Sequence, residues 1–217
     1  AFIEAWRGHS LITPAVAPHA PYTNPDESLR RCTELAREYD VPLLTHIAET
    51  KLEVDNMQAE TGQTVVEHVA GVGLFGAKVL AAHCVHITRA EMKTLLEAHA
   101  GVAHCPTSNL KLASGIAPVT AMLAHGLNVG VGTDGTASNN DLDMFEEMRL
   151  AAILAKTDAN DPTALPARQA LLMATRQGAA ALFLDDVTGS IEPGKRADLL
   201  VMEADTLHNT PPFARDA

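Results

Sequence analysis

The sequence predicts an α/β fold, a parallel sheet rolling into a (β/α) barrel, and three observations carry that reading. Short apolar runs of small and β-branched residues recur without polar alternation, the signature of strands buried on both faces. Stretches with helical apolar spacing separate them, with connections of a few residues, which favours right-handed parallel crossovers. Finally, these runs end on metal-capable or proton-transferring residues: VPLLTHIAE on His46 and Glu49, KVLAAHC on His83, GVAHCP on His104 and NVGVGTDG on Asp134. A (β/α) barrel carries its chemistry at those carboxyl ends.

Taken in order, AFIEAWRG reads as a helix stopped by Gly8, and LITPAVAPH as a strand ending at His19. NPDESLRRCTELAREYD has a Pro-Asp-Glu start and apolar spacing at Leu29, Cys32, Leu35 and Ala36, a helical period. VPLLTHIA is the next strand, and residues 50 to 71 hold one or two helices. Strand KVLAAHC, a helix from Thr88 to about His99, strand GVAHCP, a loop PTSNLKLASG, helix IAPVTAMLAHG and strand NVGVGTD continue the beat. That makes five strand-helix units. Helices follow from about Asp141 to Ala155 and from about Pro162 to Leu182, and then SIEPGKRADLLVME, a turn and a strand, breaks the alternation. The expected organisation is a barrel portion over 1–186 and a return segment into a small β-sandwich domain over 187–217.

Composition narrows the function classes. With 217 residues the chain is short of the roughly 250 of a full barrel. Its net charge of -11 repels nucleic acid and anionic membrane surfaces and leaves a small molecule as the expected partner. Cys32, Cys84 and Cys105 form no CxxC pair and read as reduced thiols of a cytoplasmic protein. There is no signal-peptide pattern and no apolar run fit to span a bilayer. The chain starts at Ala1 rather than Met, inside a helix, so a further upstream segment is expected. The apolar helices suggest a homo-oligomer.

Singly, each chemical motif has a plain structural reading. HxxE at His46 and Glu49 is as well explained by a solvated loop; His86 by a helix cap; Asp134-Gly135 by a turn. Independent structural roles give no reason for histidines and an aspartate to end successive parallel strands, whereas a barrel mouth built around one metal does. His19 ends the earliest strand, and the absence of a lysine there favours one metal over two. His9, His68, His99, His125 and His208 read as surface or packing residues, and Trp6 as helix packing.

APHAPYT, LTHIAET, AAHCVHIT, HCPTSNLKLASGIAPV, GTDGTASNN, FEEMRLA and GSIEPGKRADLLVME, in this order, resemble the amidohydrolase superfamily. Within it they are similar to the branch of 5′-methylthioadenosine and S-adenosylhomocysteine deaminases, with triazine chlorohydrolases nearby. The resemblance covers nearly the whole chain. It implies a (β/α)8 TIM-type barrel of the metal-dependent hydrolase kind, present here as about its last five strand-helix units.

The same resemblance implies one divalent metal, Zn2+ first, with Fe2+ or Mn2+ compatible with the same donors. His46 and Asp134 would be metal ligands; Glu49 the proton shuttle and a substrate contact; His83 the residue orienting the water or the attacked group; His19 a substrate contact. The implied reaction is hydrolytic deamination of an adenine nucleoside, with Glu49 protonating the ring nitrogen and Asp134 taking a proton from the water. The family's HxH ligand pair is absent from the sequence, so a missing amino-terminal segment or a companion chain is expected to supply it, and the 217 residues alone to be inactive. Two alternatives stay open: a chlorohydrolase or aminohydrolase of triazine-like rings, and a non-catalytic truncated fragment.

Overall fold

A computed structural model describes residues 1–202. Four parallel strands, β1 (Leu43–Ile47), β2 (Val79–His83), β3 (Gly101–His104) and β4 (Asn128–Val131), lie in sequential order in one sheet. Register aligns Thr45 with Ala81, Ala81 with Val102 and Val102 with Val129, a row that is buried throughout. Its Ala81, Val102 and Val129, with Leu43, Ile47 and Val79, belong to the hydrophobic core.

The helices are α1 (Phe2–Trp6), α2 (Asp26–Tyr39), α3 (Lys51–Thr61), α4 (Val65–Val72), α5 (Arg89–Glu97), α6 (Pro106–Lys111), α7 (Val119–Ala124), α8 (Met144–Ala159), α9 (Ala167–Met173) and α10 (Arg176–Ala181). Local chemistry sets their ends. Thr64 with Glu67, and Thr88 with Glu91, form reciprocal capping boxes at the starts of α4 and α5. Leu29, Thr33 and Ala36 bury one stripe of α2. At α10 the approach is close: a Cβ on Gly101 would fall 2.1 Å from the Ala181 carbonyl oxygen, and one on Gly130 would fall 2.8 Å from Gly178 Cα.

The sheet-and-helix alternation matches the expectation of part of a barrel, with four departures. LITPAVAPH forms a single parallel bridge, Val16 to Leu43, instead of a full strand. Pro14 and Pro18 lack the N–H a ladder needs, so pairing is confined to Val16, which donates to Pro42 O and accepts from Leu44 N, and to His19 O, which accepts from His46 N. The expected loop PTSNLKLASG begins with α6, because Pro106 occupies the first helical position, where its missing N–H costs nothing. The long helix expected to end at Leu182 is broken at Thr175 into α9 and α10. Past Val131 no further strand forms among the described residues, so ADLLVM carries no regular secondary structure, with Leu200 and Val201 exposed. Residues 203–217, most of the expected return segment's end, lie outside the described range.

Candidate active site

The sequence places its chemistry at strand ends, and the backbone there is unusual. Ala48 follows β1 with φ 51°, His83 and Cys84 end β2 with φ 71° and 50°, and Asp134 follows β4 with φ 62°. Left-handed conformations cost non-glycine residues about 1 kcal/mol or more each, and such residues concentrate where side chains must be aimed. At β1 the aim is held by Glu53, 5% exposed, whose carboxylate accepts from Ala48 N at 3.3 Å and Glu49 N at 2.8 Å. Burial pushes the Glu53 carboxyl up, against the lowering effect of those amides. Thr50 caps α3 just beyond.

Three imidazoles stand in a row. The His19 and His46 rings are 4.8 Å apart edge to face, and His46 stacks on His83 at 5.2 Å with 26° between planes. His83 Nε2 lies 3.9 Å from Glu49 Oε2, beyond a hydrogen bond. Glu49 Oε1 accepts a long bond from Ser114 Oγ, 3.4 Å. His19 is more open, its Nδ1 2.8 Å from Thr23 Oγ1 and its ring against Tyr22.

Asp134 joins the group through α6. Its Oδ2 accepts from Ser108 Oγ at 2.7 Å and from Ser138 Oγ at 2.6 Å. Burial works to raise the carboxyl, but those hydroxyls, the Gly135 amide and the nearby His83 outweigh it and hold it below the usual aspartate range. The next residue of α6, Asn109, places its Oδ1 2.8 Å from His83 Nδ1. Consecutive residues of one short helix therefore touch two different strand ends. α6 is itself pinned: Glu147, 1% exposed, accepts from Thr107 N at 3.2 Å and Asn139 Nδ2 at 2.6 Å, and Lys111 Nζ reaches Ala137 O and Asn140 Oδ1.

His46, His83, Glu49, His19 and Asp134 are thus brought to one end of the sheet. His104 is not part of that set: it is 1% exposed, neither ring nitrogen has a partner among the described residues, and burial lowers its pKa to about 4. It is a neutral core imidazole. His86 does not cap α5, since its Nε2 donates to Ser114 O at 2.7 Å. Cys105, beside Asp134, is buried and its thiol is pushed up to about 12 by burial first and then by the Asp134 and Glu147 carboxylates, which leaves it inert.

The donor set can be tested for a metal. His46 Nδ1 lies 2.6 Å from His19 O, a carbonyl that only accepts, so Nδ1 carries the hydrogen and Nε2 keeps its lone pair. Backbone-anchored imidazoles of this kind are typical metal ligands. Asp134 Oδ2 accepts from two serines, and among the described residues no side-chain donor engages Oδ1. Two donors therefore fit. A third is wanting, for among the described residues no group of three His, Cys, Asp or Glu side chains could hold an ion.

Sequence reasoning did not single out Ser108, Asn109, Ser138, Glu53 and Glu147. Ser108 and Asn109 were hidden inside TSN, a run whose composition says loop, and the helical start signalled by Pro106 was the available clue. Glu53 and Glu147 look like ordinary helix-surface acids; only burial sets them apart.

The amidohydrolase family model matches residues 2–217. The 5-methylthioadenosine/S-adenosylhomocysteine deaminase of Moorella thermoacetica is 50% identical over 212 residues, 97% of this chain and 50% of its own length. The 5′-deoxyadenosine deaminase of Methanothrix thermoacetophila is 45% identical over 201 residues, 93% of this chain and 48% of its own length. The crystal structure of a Xanthomonas campestris adenosine deaminase with bound zinc superposes with a TM-score of 0.93 at 45% identity, over 98% of this chain and 48% of that one. The chain spans about half the length of the relatives it matches. With parallel strands that end on histidines and acids, and with this match along nearly its whole length, the chain belongs to the amidohydrolase family.

Proposed function

We propose that the chain is the carboxyl-terminal catalytic portion of a hydrolytic deaminase acting on adenine nucleosides, with 5′-methylthioadenosine, S-adenosylhomocysteine, 5′-deoxyadenosine and adenosine as the substrate class. The names of the relatives support the substrate class. The observation that carries the chemistry is the Glu49 carboxylate 3.9 Å from His83 Nε2, with His46 stacked on the same imidazole. A carboxylate that both gives and takes protons is what amine displacement from a purine ring requires.

His46 through Nε2 and Asp134 through Oδ1 would hold a divalent metal, zinc by analogy with the Xanthomonas structure, and a further segment or chain would have to supply the remaining ligands. Bound there, the metal supplies an activated water at neutral pH. Glu49 binds the purine edge and protonates a ring nitrogen, which makes the amine-bearing carbon electrophilic. His83 orients the attacking water, and Asp134 receives its proton. Asp134 then passes the water proton to the amine, Glu49 takes the hydroxyl proton of the adduct as the carbonyl forms, and the C–N bond breaks to release ammonia. His19, open and flanked by Tyr22, contacts the substrate at the rim. Three free thiols support a reducing, cytoplasmic setting.

An ammonia-release assay on the complete metal-loaded protein, across the four nucleosides and a chlorotriazine, tests this. Turnover of a purine nucleoside is expected. Turnover of the triazine alone would move the assignment to the chlorohydrolases, and an inert protein that binds metal would refute both.

A further inference from the structure

We propose that Asn109 is a positioning residue that locks His83 into one tautomer, hydrogen on Nδ1 and lone pair on Nε2. The geometry begins with the 2.8 Å contact between Asn109 Oδ1 and His83 Nδ1. A carbonyl-type oxygen only accepts, so Nδ1 must carry the hydrogen, and a neutral imidazole then has an acceptor at Nε2. That nitrogen is the one 3.9 Å from Glu49. His83 thereby offers a hydrogen-bond acceptor, not a donor, on the Glu49 side.

Three further features make this a built arrangement. Both partners are 1% exposed, so water does not compete for Nδ1. His83 sits at φ 71°, a conformation a β-strand residue keeps only when its surroundings hold it. The helix that presents Asn109 is fixed at both ends, by Glu147 on Thr107 N and by Lys111 on Ala137 O. Asn109 Nδ2 has no partner among the described residues. Turning the amide over would reverse everything: Nδ2 would donate to Nδ1, and His83 would point an Nε2–H at the Glu49 carboxylate.

The functional consequence rests on the deaminase reading, in which an acceptor at Nε2 takes a hydrogen of the attacking water and turns its lone pair toward the ring. The tautomer itself does not depend on that reading.

The test is long-range 1H–15N correlation on the full chain labelled with 15N-histidine, at a pH well above the imidazole range, with His83→Gln identifying the signal. The native chain should show His83 protonated at Nδ1 only. Asn109→Asp, which keeps an acceptor in place, should preserve that pattern, and Asn109→Leu, of similar size but without one, should yield a tautomer mixture. A native spectrum with the hydrogen on Nε2 would overturn the proposal, as would an unchanged tautomer in a folded Asn109→Leu chain. Should Asn109→Leu not fold, the native spectrum and the Asn109→Asp spectrum decide alone. In the complete deaminase, Asn109→Leu should lower kcat on the order of 10-fold or more with little change in KM. Absence of any deaminase turnover would sink the functional reading while leaving the spectrum free to support or refute the tautomer.

Discussion

Glu53 accepts the backbone N–H of Glu49 at 2.8 Å, so one buried carboxylate sets the direction of another. The two acids of LTHIAETKLE do different work: Glu53 is spent on the Ala48 and Glu49 amides and the start of α3, while Glu49 turns its oxygens to Ser114 and His83.

Glu49→Gln keeps the shape and the Ser114 contact but removes the proton carrier. In the complete metal-loaded protein, turnover should fall about 100- to 10,000-fold, while metal content measured by atomic absorption stays near that of the native protein. A parallel loss of metal would show that Glu49 is a ligand. Asp134→Ala, by contrast, should lose both.

His104 makes folding pH-dependent. Its native pKa near 4 lies below the ordinary 6.5 because burial opposes the charge. The unfolded chain takes up a proton below the ordinary value and the folded chain does not. Stability is therefore full above about pH 6.5 and declines as pH falls toward 4, by about 2 kcal/mol at pH 5. Urea midpoints across that range should show the slope, and His104→Leu should flatten it.

Glu147 ties the start of α6 to Asn139, and Asn139 in turn donates to Thr133 O beside Asp134. In Glu147→Gln, one amide NH2 must face the Thr107 N–H or the Asn139 NH2, donor against donor. A loss of about 1–3 kcal/mol is expected, the cost of an unsatisfied buried group, read as a lower urea midpoint at unchanged slope.

Gly101→Ala brings a methyl group to 2.1 Å from the Ala181 carbonyl, backbone that cannot swing aside. The variant should lose about 3 kcal/mol or more through overpacking or fail to accumulate as folded protein. Gly71→Ala, with nothing within 4 Å of the added carbon, is the matched control and should keep native stability.

Much of this was legible in the residues themselves. Four apolar runs with no alternation announced β1 to β4, and Thr88 announced the start of α5, where the structure adds a capping box with Glu91. The gathering of His46, His83, Glu49 and Asp134 followed from parallel topology, which puts all carboxyl ends on one side. What escaped the sequence was the set of supports. Ser108 and Asn109 gain their meaning from residues 26 positions away, a separation that no local pattern encodes. The first strand misled for the opposite reason: its apolar residues read correctly, but the two prolines silenced its ladder.

The left-handed turns at Ala48, Cys84 and Asp134 have a bearing on how this protein can change. Glycine at Ala48 or Cys84 would relieve local strain, yet would also free the neighbouring Glu49 or His83 to wander, and at Asp134 it would delete the carboxylate outright. A laboratory lineage bred only for heat tolerance would drift toward such exchanges. Its descendants should survive boiling better and turn over substrate worse, so robustness and aim pull this half-barrel in opposite directions.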